Sequence, residues 1–102
     1  MDRSQPNQRG QAVARRCLVS GRVQGVYYRA SARERARASG IAGYARNLPD
    51  GRVEVLACGE EAGVQRFIEW LWVGPVAAKV TEVAIESLEL AAHEWPQDFQ
   101  AR

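Results

Sequence analysis

Gly21 and Gly25 bracket three residues, Arg22-Val23-Gln24, and Arg29 follows four residues beyond the second glycine. The β-branched, apolar approach Leu18-Val19 reads as the end of a strand, and a helix-forming run opens near Tyr28. Strand, glycine-bracketed loop and helix start aim backbone N–H groups at one point, here those of Arg22, Val23, Gln24, Gly25 and Val26. The first amides of a helix have no partner within it, and its dipole places partial positive charge there. Such a loop suits an anion. Arg29 adds a full charge and a planar fork of donors matched to phosphate oxygens. The chemistry these residues support is capture of a phosphoryl group.

The letters exclude several kinds of phosphate site. A nucleoside-triphosphate loop needs a Lys and a hydroxyl after its second glycine, where this chain has Val26-Tyr27. The three-residue spacing of Gly21 and Gly25 also differs from the dinucleotide fingerprint. No cluster of Asp and Glu lies near the loop to hold a divalent metal, and no Ser, His and Asp set suggests a nucleophile with its base. A second stretch, Gly43-Tyr44-Ala45-Arg46-Asn47-Leu48-Pro49-Asp50-Gly51-Arg52-Val53-Glu54, puts Asn47 at the mouth of a hairpin. Its uncharged carboxamide can donate to and accept from one water, as orienting a nucleophile requires. Asn47 can equally do no more than shape the turn.

The elements that must position these residues follow from periodicity and punctuation. Ala12 to Ser20 reads as a first strand with Cys17 and Val19 inward and Arg16 and Leu18 outward. Tyr28 to Ser39 reads as a helix, with Tyr28, Ala32 and Ala36 inward, Arg33, Arg35 and Arg37 wet, and Gly40 as its stop. Ile41 to Asn47 is a second strand, Leu48-Pro49-Asp50-Gly51 a hairpin turn, and Arg52 to Cys58 a third strand closed by Gly59. In that strand Val53 and Val55 face one way, Arg52 and Glu54 the other. Glu60 to Val73 is a second helix with Val64, Phe67, Ile68 and Leu71 as its apolar stripe, and with Trp70 and Trp72 off it. Lys79 to Leu88 is a fourth strand with Val83 and Ile85 on one face. His93 falls in a loop, and Asp98-Phe99-Gln100 offers a short last strand. The order β-α-β-β-α-β predicts an α+β, ferredoxin-like sandwich: an antiparallel sheet with both helices on one face, and the end of the second strand on the same edge as the loop.

Bulk composition sets limits. At 102 residues, 46% hydrophobic and 25% charged, the chain suits one globular domain over residues 12–102, after a polar, disordered tail over 1–11. No apolar run approaches the ~20 residues that cross a bilayer, and the first residues lack a signal peptide's apolar core, so a cytoplasmic protein is expected. A net charge of +2 is compatible with a small anionic substrate and too weak to argue for nucleic acid. Cys17 and Cys58 fit no metal spacing and read as buried free thiols, with a bridge open only if their strands are neighbours.

Together the two stretches resemble the acylphosphatase family. Its G-x-V-Q-G-V-x-[FY]-R loop is met at Gly21, Val23, Gln24, Gly25, Val26, Tyr28 and Arg29. Its G-x-x-x-N-x-x-D-G-x-V pattern is met at Gly43, Asn47, Asp50, Gly51 and Val53. Trp72-Val73-Gly74-Pro75 and the final Phe99 with Arg102 are similar to family features, and the likeness covers about residues 13 to 102. Ala101 departs from it, standing where the family usually has a larger apolar residue, which is expected to weaken the last strand without touching the site. The resemblance implies hydrolysis of acyl phosphates to a carboxylate and inorganic phosphate. Arg29 would bind the phosphoryl group, Asn47 would position the water, and the amides from Arg22 to Val26 would cradle the oxygens. It further implies no metal or other cofactor, a small-molecule acyl phosphate as partner, no nucleic acid or membrane, and action as a monomer. The alternatives are a non-catalytic module that binds phosphate or carbamoyl phosphate, and an RNA binder of the same element order. The second needs aromatics on the first and third strands, and Arg52 to Cys58 has none.

Overall fold

A computed structural model describes residues 11–102. The expected tail lies outside the described residues except for Gln11, whose carbonyl accepts the N–H of Glu61.

The strand β1, Ala12–Arg22, is the spine of the sheet, pairing with one neighbour on each side. Cys17 and Val19 are fully buried while Arg16 and Leu18 are partly exposed, the expected alternation. Helix α1, Tyr28–Ala38, buries Tyr28, Ala32 and Ala36, and the two small residues let its axis approach the sheet closely. β2, Ala42–Asn47, and β3, Val53–Glu60, form an antiparallel hairpin. Its turn is closed by Leu48 N–H on the Arg52 carbonyl at 2.8 Å and by Asp50, whose carboxylate takes the Arg52 N–H at 3.1 Å. β3 runs past Gly59 instead of ending there, because β1 is long enough to keep pairing, Val13 opposite Gly59 and Ala12 opposite Glu60.

Helix α2, Glu61–Leu71, therefore starts one residue later than expected, with Glu60 still extended before it. Val64, Phe67, Ile68 and Leu71 are its buried stripe. Trp70 flanks the core, its ring 5.8 Å from that of Tyr28 and 6.2 Å from that of Phe67. β4, Lys79–Leu88, buries Val83 but leaves Ile85 half-exposed. It is an edge strand, and the helices lie over β1, β2, β3 and β5.

β5, Phe99–Ala101, forms despite the small Ala101, anchored by Phe99, which is fully buried edge-on against Phe67 at 5.7 Å. It runs parallel to β2, so the sheet is mixed and not wholly antiparallel. A short return after a loop on the far side must enter in the same direction as β2. The sheet order is β4-β1-β3-β2-β5, a ferredoxin-like sandwich with an added edge strand.

Register assigns the sheet's two faces. Cys17, Val19, Ala45, Val53 and Val55 meet the helices. Arg16, Tyr44, Arg46, Glu54 and Cys58 share the opposite face. Cys17 pairs with Val55 while Cys58 pairs with Ala14, so the thiols point to opposite faces of neighbouring strands. No bridge can join them.

Candidate active site

The loop between β1 and α1 begins with an irregularity. The β1–β4 register slips between Ser20 and Gly21, where φ is 118° and a Cβ would lie 2.1 Å from the Lys79 carbonyl oxygen. Only glycine fits that approach, and the bulge turns the chain out of the sheet. Val23 and Val26 are buried and root the loop in the core. Positive φ at Gly25 (77°) and Tyr27 (62°) is interrupted by Val26, an alternation of sign that swings successive N–H groups to one side. The N–H groups of Val23, Gln24, Gly25 and Val26 donate to no main-chain carbonyl among the described residues. A run of unspent donors against a packed core is what an anion cradle requires.

Arg29 sits on the first turn of α1 and is partly exposed. One of its guanidinium nitrogens donates to the main-chain oxygen of Arg102, which follows β5. Arg102 in turn donates its N–H to the Ala45 carbonyl at 2.8 Å, two residues before Asn47. A cavity of about 520 Å³ opens here, lined by Val23, Gly25, Tyr27, Tyr28, Arg29, Ala30 and Ala101. Three sequence-predicted residues, Val23, Gly25 and Arg29, thus meet in one cavity, and Ala101, expected to lie clear of the site, is part of its wall because β5 ends beside Arg29. Arg22 ends β1 as an exposed residue at the loop's entrance, and Val26 faces the core.

Gln24 does something the sequence reading missed. Its Nε2 donates to the carbonyls of Leu48 at 2.9 Å and Arg52 at 3.0 Å, tying the loop to the β2–β3 turn. Asn47, the residue before Leu48, is exposed at the end of β2, at the same end of the sheet as the loop, and is not part of the cavity wall. β1 and β2 are both antiparallel to β3 and hence parallel to each other, which brings their C-terminal ends together. Among the described residues no three His, Cys, Asp or Glu side chains gather into a group that could hold a metal ion. No helix there is long and apolar enough to cross a membrane.

The acylphosphatase family model matches residues 15–101, taking in most of β1, the loop, both helices and the other four strands. The chain belongs to the acylphosphatase family. It is 58% identical over 77 residues to an acylphosphatase of Chromohalobacter salexigens, a match spanning 72% of this chain and 86% of that one. The crystal structure of acylphosphatase from Bacillus subtilis is similar at a TM-score of 0.83 and 34% identity, covering 88% of this chain and 98% of that one. An acylphosphatase from Coxiella burnetii is similar at 0.80 and 37%, covering 89% and 93%.

Behind this candidate site, on the face away from the helices, Glu54 is 3% exposed and grips two arginines. Arg46 Nε lies 2.5 Å from one carboxylate oxygen and Arg16 Nε 2.5 Å from the other. Burial acts to raise the Glu54 carboxyl, but hydrogen bonds from Arg16 and Arg46 outweigh it and hold it below its usual range. The pair clamps β2 beside Asn47 to the two central strands. The hairpin carried a signal for half of it: counting outward from the turn sets Arg46 opposite Glu54.

Proposed function

We propose that this chain hydrolyses acyl phosphates, the mixed anhydrides of a carboxylic acid and phosphate, within one domain over residues 12–102. The observation that carries the reading is the meeting of unspent amides at Val23 and Gly25 with the Arg29 guanidinium around one cavity. In this reading the amides from Arg22 to Val26 and the fork of Arg29 hold the three non-bridging oxygens of the phosphoryl group. Phosphoryl transfer asks chiefly for position and for charge stabilisation at those oxygens. Asn47 holds a water in line with the bond to be broken. The water oxygen bonds to phosphorus as the bond to the acyl oxygen breaks, and the carboxylate leaves with the bonding pair. The proton of the water passes to a phosphate oxygen, giving inorganic phosphate. A carboxylate is a good leaving group, so no general acid is called for.

The main-chain oxygen of Arg102 holds the Arg29 guanidinium by one nitrogen and leaves its other donors free for the anion. We place the activity in the cytoplasm, where buried free thiols such as Cys17 and Cys58 are at home, and in a monomer. The test is release of phosphate from acetyl phosphate by the wild-type chain, beside Arg29→Ala. Release by the wild type alone supports the reading. Phosphate bound without turnover favours a non-catalytic binding module.

A further inference from the structure

We propose that Tyr27 is a specificity-determining residue, the wall on which a large apolar acyl group, above all an aromatic one, packs. The inference rests on the acyl phosphatase reading above and deepens it. A phosphoryl group held on the loop amides fills only part of a 520 Å³ cavity. The remaining wall is made by Val23, Tyr27, Tyr28, Ala30 and Ala101, none of them charged. The hydroxyl of Tyr28 is spent on the Leu71 carbonyl at 2.6 Å, so that residue offers the cavity ring carbon and no donor. A charged or strongly polar acyl group would find no side-chain partner there apart from Arg29, already engaged with the phosphoryl group. Ala30 and Ala101 add little bulk and leave the space open.

Tyr27 itself needs an explanation. It is the one non-glycine with positive φ among the described residues, at φ 62° and ψ 25°, a backbone that is unfavourable for a bulky side chain. The residue is 83% exposed, so burial within the protein does not offset that strain. The phenol makes no hydrogen bond to another described residue. An aromatic ring held on a strained, fixed backbone at a cavity mouth, and unused by the fold, is suited to a partner that arrives with the substrate. Ring-to-ring contact adds specific attraction beyond burial of area alone.

The test compares benzoyl phosphate with acetyl phosphate in wild type, Tyr27→Phe and Tyr27→Gly. Glycine accepts φ 62°, so the loop keeps its shape, and a melting temperature no lower than wild type confirms that the fold is intact. Taking the ratio of kcat/KM for the two substrates, variant against wild type, cancels their intrinsic reactivity. Tyr27→Gly is expected to cut the benzoyl-to-acetyl ratio about three- to tenfold, mostly through KM for benzoyl phosphate. Tyr27→Phe is expected to keep the wild-type ratio. An unchanged ratio in Tyr27→Gly, or equal losses on both substrates, overturns the inference while the hydrolytic reading stands. Failure of the wild type to hydrolyse either substrate overturns both.

Discussion

Arg29 and Asn47 carry unequal parts of the proposed chemistry, and their substitutions should separate. In that proposal Arg29 contacts the phosphoryl group before and during transfer, so its loss should affect binding and rate together. Two charge-assisted hydrogen bonds at about 1.5–3 kcal/mol each imply a fall in kcat/KM of at least ~100-fold for Arg29→Ala. Lysine, a point charge without the planar fork, should restore only part of it. In the same proposal Asn47 touches the water and not the anion. Asn47→Ala should therefore lower kcat about a hundredfold with KM little changed, and steady-state kinetics near wild-type turnover would reject its role. Because the proposed donors are amides and a guanidinium, EDTA should leave the rate unaltered, and a strong loss on chelation would refute that donor set. The placement of these residues was legible in the sequence because the demands on it are local: only glycine tolerates the Gly21 approach, and a helix opening at Tyr28 sets Arg29 on its first turn, beside the loop. Tyr27 was not legible, since a positive φ at tyrosine is imposed by the surrounding loop and leaves no mark in composition.

The elements were readable wherever one face is apolar at a fixed period. The stripe of α2 and the alternation of β1 are examples, each with one buried side. Readability failed where tertiary neighbours decide. Glu54 appeared as the outward member of an alternating strand, yet β3 is the central strand of five and its second face is closed by arginines from both neighbours. Ile85 shares a face with Val83 but lies on an edge strand that packs less against the helices than its neighbours do. The parallel entry of β5 depended on the path of the loop before it, which no local pattern sets. The Glu54 clamp gives a prediction at this scale. Glu54→Gln keeps the shape and removes the charge that both arginines share. Arg16 and Arg46 are themselves partly exposed and can turn to water, so the cost falls below that of a fully buried pair, at about 1–2 kcal/mol. Urea denaturation read against wild type measures it, and an unchanged midpoint would show that the clamp does not stabilise the sheet. Since the clamp adjoins Asn47, kcat should fall modestly as well.

For the whole molecule, the hydrogen-bonded carboxyls and the buried thiols titrate at opposite ends of the pH scale. Hydrogen bonds from Arg52 lower the Asp50 carboxyl, and a backbone hydrogen bond from Phe99 and then Arg37 lower that of Asp98; Glu54 is lowered by its two arginines. A carboxyl lowered on folding binds fewer protons in the native state, so its stabilisation is present above its ordinary pKa of about 4 and is lost as pH falls below that. In the core the sign reverses. Burial pushes the Cys17 thiol up to about 12 and the Cys58 thiol up to about 11, from a usual value of 9.0, and raises the Tyr28 phenol as well. Above pH 9 the unfolded chain sheds these thiol protons while the native chain keeps them, so stability drains with rising pH by up to ~1.4 kcal/mol per pH unit for each thiol. Stability measured by denaturant should thus form a plateau between about pH 5 and 8, falling on both sides. Replacing both cysteines by alanine separates packing from titration. The variant should be less stable than wild type at pH 7, through the lost sulfur contacts in the core, yet show a shallower decline between pH 9 and 11. An alkaline decline as steep as that of wild type would mean that the thiols are not what titrates, and would leave Tyr28 as the buried group to replace next.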